Sequence, residues 1–304
     1  MNVCIVGLGL IGGSFGRDLK DLPGITARVG VDLDPANAEA ALSLGLVDRL
    51  ANEQEAFEVA DIVLLAIPVN TIRALLPQIL DAVRPGVTVV DLGSTKAAIA
   101  RAVAAHPRRR QYVAAHPVAG TENSGPGAAV NGLFRGKINI ICDREQSGPE
   151  SLTAAEKLFT MVGLKTIFMG SEEHDKHVAY VSHLSHVSSF LLAQTVLDME
   201  KDEKQIFNLA GSGFASTVRL AKSSPDMWTP IVDQNVEYLG QALAEYIMHL
   251  QRFHYHLMKR NTKEIQAVFR QANDIRRVLD EKEQNDQNVV NKTKRVIPVE
   301  MKRV

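Results

Sequence analysis

The opening of the chain limits its fold more than any other stretch. Residues 3–6 are a short apolar run of the kind that builds a buried parallel strand, and they lead directly into Gly7-x-Gly9-x-x-Gly12. A helical pattern starts at Ser14. In a strand–loop–helix unit of this type, Gly7 permits the tight turn and Gly9 lets the backbone approach a pyrophosphate. Gly12 lets the helix pack close to the strand, and the helix N-terminus then faces the phosphates. A second apolar segment, residues 27–31, ends in Asp32, at the spacing where an acid binds the ribose hydroxyls of an adenosine. The same acid repels a 2′-phosphate, so the unit predicts NAD rather than NADP. The expected cofactor-binding residues here are Gly7, Leu8, Gly9, Ile11, Gly12 and Asp32.

The rhythm of strand and helix continues to about residue 170. Strand-like runs at 27–31, 62–66, 88–90, 112–114, 138–142 and 165–168 are separated by helical patterns at 14–19, 35–44, 69–83, 96–105 and 149–161. The runs are short, apolar and not alternating, as expected of strands covered on both faces. Alternation of this kind predicts an α/β fold with a doubly wound, Rossmann-type parallel sheet. After Gly170 no convincing strand follows, and residues 172–195, 205–211, 217–222, 227–259 and 261–282 read as helices. Several are apolar around much of their circumference, and such helices must be covered by others. An all-helical second domain is therefore expected, with enough spare apolar surface to form a homodimer. The expected domains are 1–170, 171–282 and a polar tail at 283–304 that frays.

A chain of 304 residues accommodates about two domains. A net charge of −1 supplies no basic field for nucleic acid or a membrane surface, and 5% aromatics are too few for a base-stacking platform. No apolar run reaches the ~20 residues of a membrane span. The N-terminal apolar stretch is glycine-broken and lacks a basic lead, unlike a signal peptide. Cys4 and Cys142 both lie in apolar strand-like runs and read as buried thiols, so a cytoplasmic setting is expected.

In a doubly wound sheet, ligands bind outside the carboxyl ends of the strands. The run at 62–66 ends in Ile67 and Pro68, a turn placed to flank the cofactor. The next two ends carry Ser94, Lys96, His116, Thr121 and Glu122 toward one crevice. Oxidation of a hydroxyl needs a base to take its proton, and histidine is suited to this near neutral pH. His116 is that candidate, with Ser94 to orient it and contact the cofactor; the alternative is a histidine that merely caps a strand. His174, His177, His183 and His186 form a second cluster, at spacings that permit metal ligation but without a partnering Cys or carboxylate set. No metal is expected, and histidines lining a cleft for an anionic substrate are the better reading. Arg219, shortly after a Gly- and Ser-rich loop, either clamps a carboxylate bidentately or makes a surface ion pair.

These clusters together resemble the prephenate/arogenate dehydrogenase family of tyrosine biosynthesis. Gly7-Leu-Gly-Leu-Ile-Gly-Gly-Ser14 is similar to its nucleotide loop. More specific are Asp91-Leu-Gly-Ser-Thr-Lys96, His116-Pro-Val-Ala-Gly-Thr-Glu-Asn-Ser-Gly125, Ser182-His-Leu-Ser-His186 and Arg219-Leu-Ala-Lys-Ser-Ser-Pro-Asp-Met-Trp228, in the family's order. The resemblance implies NAD-dependent oxidative decarboxylation of prephenate to 4-hydroxyphenylpyruvate, or of arogenate to tyrosine. It implies that His116 accepts the 4-hydroxyl proton and that Ser94 orients this histidine beside the nicotinamide. It implies that Arg219 binds the substrate carboxylate, that His186 and Trp228 line the pocket, and that Glu122, next to Thr121, helps to gate it. Ser216 departs from the pattern, because some members carry an acid there. A β-hydroxyacid dehydrogenase would need a Gly-x-x-x-Asn-Lys lysine, and none occurs around residues 170–200. A non-catalytic NAD sensor would tolerate loss of His116, Ser94 or Arg219, and all three are present.

Overall fold

The computed structural model describes residues 1–281. Eight strands form one sheet in the order β3-β2-β1-β4-β5-β6-β7-β8. The first six strands are β1 (Asn2–Val6), β2 (Ala27–Val31), β3 (Arg49–Leu50), β4 (Ile62–Leu65), β5 (Thr88–Asp91) and β6 (Tyr112–Pro117). They all run parallel, and the chain reverses direction across the sheet between β1 and β4, which opens the crevice that ligands use. The expected doubly wound parallel sheet is present, with one exception: β7 (Ile138–Cys142) pairs antiparallel with β6 and parallel with β8 (Lys165–Met169). The cause lies in the connection. Residues 118–137 contain only one 3-10 turn, Pro126–Ala128, and no crossover helix that could carry the chain back to the starting end.

The connecting helices are α1 (Leu10–Asp18), α2 (Pro35–Ser43), α3 (Glu53–Val59), α4 (Val69–Ala82), α5 (Ala97–Ala102) and α6 (Pro149–Met161). Helix α1 starts at Leu10 rather than Ser14, because Gly9 is its N-cap and the loop glycines enter the helix directly. The short β3 and α3 escape a periodicity reading. Asn52, whose side chain accepts the Glu55 N–H at 2.9 Å, is the local cap that starts α3. Side chains of β1 alternate between two cores, Val3 and Ile5 into one and Cys4 and Val6 into the other. Each fully buried large apolar side chain contributes about 1.5–3 kcal/mol.

Helices after Gly170 include α7 (Ser171–Val178), α8 (Leu184–Glu200), α9 (Ser212–Thr217), α10 (Pro225–Gln234), α11 (Val236–Met258) and α12 (Thr262–Ala272). A π-helical turn, Ala179–His183, joins α7 to α8, and 3-10 turns lie at Ile206–Leu209 and Arg219–Lys222. The single helix expected over 227–259 is broken at Asn235 (φ −116°, ψ 27°). Residues 1–242 form one compact unit, and a second begins at Leu243 within α11. Within the first unit, Trp228 and Ile231 of α10 belong to the core on one face of the sheet. On α8 only Ser189 is buried, while Val181 in the preceding turn, Leu191 and Leu197 are 78%, 49% and 52% exposed. Among the described residues no helix is long and apolar enough to cross a membrane. The expected tail at 283–304 lies outside the described residues.

Candidate active site

The nucleotide loop is shaped by close packing. Gly7 has φ +89°, and a Cβ there would lie 2.5 Å from the Ala66 carbonyl oxygen. A Cβ on Gly12 would lie 1.9 Å from the Gly7 carbonyl oxygen. At Gly9 the space stays open, with the Gly125 nitrogen 4.0 Å away as the nearest atom to a Cβ. That is the room a pyrophosphate needs above the start of α1. The Asp32 carboxylate is held at the end of β2 by the Leu8 N–H at 2.8 Å and the Asp34 N–H at 3.0 Å. The Leu8 side chain is fully buried, and its N–H donates to Asp32. It shapes the loop from below. Half-buried Ile11 and Ile67 and exposed Pro68 remain on the rim of the crevice.

His116 sits within β6, one residue before its end. Its Nδ1 lies 2.8 Å from Nε2 of His174 on α7. Nδ1 of His174 lies 2.7 Å from Oδ1 of Asp175. The buried Asp175 carboxylate also accepts the Lys96 N–H at 2.8 Å and the Ala97 N–H at 2.9 Å, both at the start of α5. This chain fixes the tautomers. The Asp175 carboxylate accepts the Nδ1–H of His174, whose Nε2 then accepts the Nδ1–H of His116. Nε2 of His116 is left with a free lone pair and has no partner among the described residues. Burial, with the nearby His174, Lys96 and His183 charges adding to it, holds the His116 imidazolium well below the usual histidine range. His116 is therefore a neutral base at neutral pH.

Below it, Lys96 is fully buried and ion-paired to Asp91, and its Nζ donates to the Ala115 carbonyl at 2.8 Å. Tyr112 donates its hydroxyl to the other Asp91 oxygen at 2.5 Å. These bonds lock the end of β5 to the segment of β6 that carries His116. Ser94, half-buried after β5, makes no hydrogen bond to His116, and the orienting contact assigned to it from sequence is made by His174.

The helical elements supply the opposite wall. His186 stacks on Trp228 with ring centroids 3.6 Å apart, and His183 meets the edge of the same indole at 5.8 Å. Asn235 donates to the Asp175 carbonyl at 2.8 Å and lies 3.0 Å from Nδ1 of His183, so it links this aromatic group to the histidine relay. Burial lowers the His183 pKa to about 4 and lowers that of His186 as well. Arg219 pairs with Glu122 at 2.8 Å, which brings the loop after β6 to the turn after α9. Thr121 is exposed in that loop and its hydroxyl accepts the Asn123 N–H at 3.2 Å. His177 points to solvent, away from His174. The structure thus links His116 through His174, Asp175 and Asn235 to His183 and the Trp228–His186 stack, and separately joins Arg219 to Glu122. The sequence reading missed the Asp175 and Asn235 roles. The His174-Asp175 dipeptide was the available signal, but nothing in the sequence places α7 against β6.

Residues 15–168 match the prephenate dehydrogenase nucleotide-binding domain, and residues 170–271 match the prephenate dehydrogenase dimerization domain. The chain belongs to the prephenate dehydrogenase family. A prephenate dehydrogenase of Bacillus subtilis is 27% identical over 90% of this chain and 75% of its own length. A cyclohexadienyl dehydrogenase of Zymomonas mobilis is 29% identical over 83% of this chain and 86% of its own length. A crystal structure of prephenate dehydrogenase from A. aeolicus, in complex with hydroxyphenyl propionate and NAD+, superposes with a TM-score of 0.83 at 28% identity. It covers 91% of this chain and 97% of that one. Of the residues described above, His116 and Glu122 lie in the first matched part, and His174, His186, Arg219 and Trp228 in the second.

Proposed function

We propose that the chain catalyses NAD-dependent oxidative decarboxylation of prephenate to 4-hydroxyphenylpyruvate. The observation that carries this reading is the Asp175–His174–His116 relay, which leaves one basic nitrogen free at the mouth of a nucleotide crevice. The room above Gly9 and the pinned carboxylate of Asp32 suit NAD, whose diphosphate would lie over the start of α1 with its ribose hydroxyls at Asp32. When bound, NAD takes up the two electrons removed from the substrate. Nε2 of His116 accepts the proton of the ring hydroxyl as the C4–H bond breaks and the carbonyl forms. The resulting imidazolium is stabilised by the buried Asp175 carboxylate through His174. The bond from the ring to its carboxylate then breaks and carbon dioxide leaves; the electron pair moves through the ring to the C4 carbonyl oxygen, which takes back the proton held on Nε2 of His116 to give the phenol.

Arg219 holds a substrate carboxylate, and Glu122 is its partner while the site is empty. His186 and Trp228 form the flat wall against which the ring packs, and Ser94 and Thr121 border it. The relative from Zymomonas mobilis, named a cyclohexadienyl dehydrogenase, favours a second reading in which arogenate is also accepted. The exposed apolar faces of α8 and the match to a dimerization domain support a homodimer through the helical part. The two unpaired cysteines are in keeping with the cytoplasm. NADH formation with prephenate and with arogenate, measured side by side, tests the proposal. Turnover of prephenate at the higher kcat/KM supports it, and turnover of neither refutes it.

A further inference from the structure

The geometry points to Ser189 as a positioning residue for Arg219. Ser189 lies on α8, one turn beyond His186, and is the only buried residue of that helix. Its hydroxyl donates to the Thr217 carbonyl at 3.0 Å and accepts the Ala221 N–H at 3.2 Å. Those two residues flank Arg219 symmetrically, so one side chain grips the backbone on both sides of the arginine. Hydroxyls on a helix usually turn back onto the helix's own carbonyls. Ser188 does so to the Ser185 carbonyl at 3.1 Å, and Thr195 to the Leu191 carbonyl at 2.8 Å. Ser189 instead reaches across to another element.

Besides its packing along α8 and its own turn, in which the Ala221 N–H also donates to the Val218 carbonyl at 3.0 Å, no core fixes the gripped segment. Neither α9 nor the 3-10 turn Arg219–Lys222 contains a buried residue, and the Arg219 side chain is 51% exposed. An apolar core therefore does not set where the guanidinium begins its reach. The Ser189 clamp does, and it references Arg219 to the same helix that carries His186. A bidentate clamp on a carboxylate is sensitive to displacements of about 1 Å. Ser189 thereby sets the spacing between the carboxylate anchor and the aromatic wall.

This inference rests on Arg219 binding the substrate carboxylate, and the test separates the two claims. Ser189→Ala, Arg219→Ala and the double variant are compared in KM for prephenate, kcat and NAD affinity. Ser189→Ala should raise KM about tenfold, the scale of two lost backbone hydrogen bonds, with kcat and NAD affinity essentially unchanged. In the Arg219→Ala background the same change should add less than about twofold, because the residue it positions is gone. An equal KM factor in both backgrounds, or an unchanged KM, overturns the role of Ser189. If Arg219→Ala leaves KM unaltered, the carboxylate reading itself fails and the positioning role falls with it. Should Ser189→Ala lower the melting temperature, Ser189→Cys keeps the side-chain size and weakens both bonds, and its KM should fall between those of wild type and Ala.

Discussion

Asp175→Asn isolates the buried charge behind His116 while keeping its shape. The carboxylate accepts N–H groups from His174 at 2.7 Å, Lys96 at 2.8 Å and Ala97 at 2.9 Å. An amide has one oxygen for these three donors, so its NH2 must face an N–H whichever way it is turned. Either a backbone donor at the start of α5 loses its acceptor, or His174 changes tautomer and presents the wrong atom to His116. The lost charge adds a second effect. Two hydrogen bonds of 2.7 and 2.8 Å separated by one imidazole place the carboxylate about 8 Å from His116, where an effective dielectric of about 20 gives an attraction of about 2 kcal/mol. Removing it from the imidazolium formed in the reaction costs about thirtyfold in rate. With the tautomer error included, kcat should fall about 10²–10³-fold. The acid limb of kcat/KM should also move to lower pH, because the imidazolium has lost its counter-charge. NADH absorbance across a pH series, with a melting curve as a control for folding, reads both effects. A kcat within about threefold of wild type, with the acid limb unmoved, would refute the relay.

His116→Asn should lower kcat about 10²–10⁴-fold, the usual value of a general base, while calorimetry shows NAD still binding. Four histidines of the site, His116, His174, His183 and His186, are held below their ordinary range, chiefly by burial. The unfolded chain therefore binds more protons than the native one as pH falls from 6.5 toward the His183 value of about 4, and stability should drop across that window, with His183 alone accounting for about 3 kcal/mol. Urea midpoints that stay flat over this range would contradict these assignments. Asp32→Asn removes the charge that repels a 2′-phosphate, so the preference in kcat/KM for NAD over NADP should narrow about tenfold or more; an unchanged ratio would place the selectivity elsewhere.

The nucleotide half was legible because each of its signals is local. An apolar run, three glycines and an acid at a fixed spacing define the unit formed by β1, α1 and β2, and Gly7 and Gly12 are glycines for packing reasons that the spacing already implies. The reversed direction of β7 was hidden, since a strand buried on both faces has the same apolar pattern in either direction. The two-residue β3 is too short to show any period. In the site, His116, Arg219 and Trp228 could be picked out from their own neighbourhoods in the sequence. The partner of His116 could not, because His174 is 58 residues away and meets it only through the docking of α7 on the sheet end. The inward turn of the Leu8 side chain was not legible, because sequence position in a loop says nothing about which way a side chain turns. Ser189 looked like one of several helix hydroxyls, and only its hydrogen bonds to Thr217 and Ala221 distinguish it.

The product balance with prephenate tests the proposed chemistry most directly. Incubated with NAD and prephenate, the protein should form NADH, carbon dioxide and 4-hydroxyphenylpyruvate in equal amounts, and His116→Asn should form all three at the same greatly reduced rate. NADH without carbon dioxide, or equal rates for the two proteins, would contradict base-assisted oxidative decarboxylation at His116.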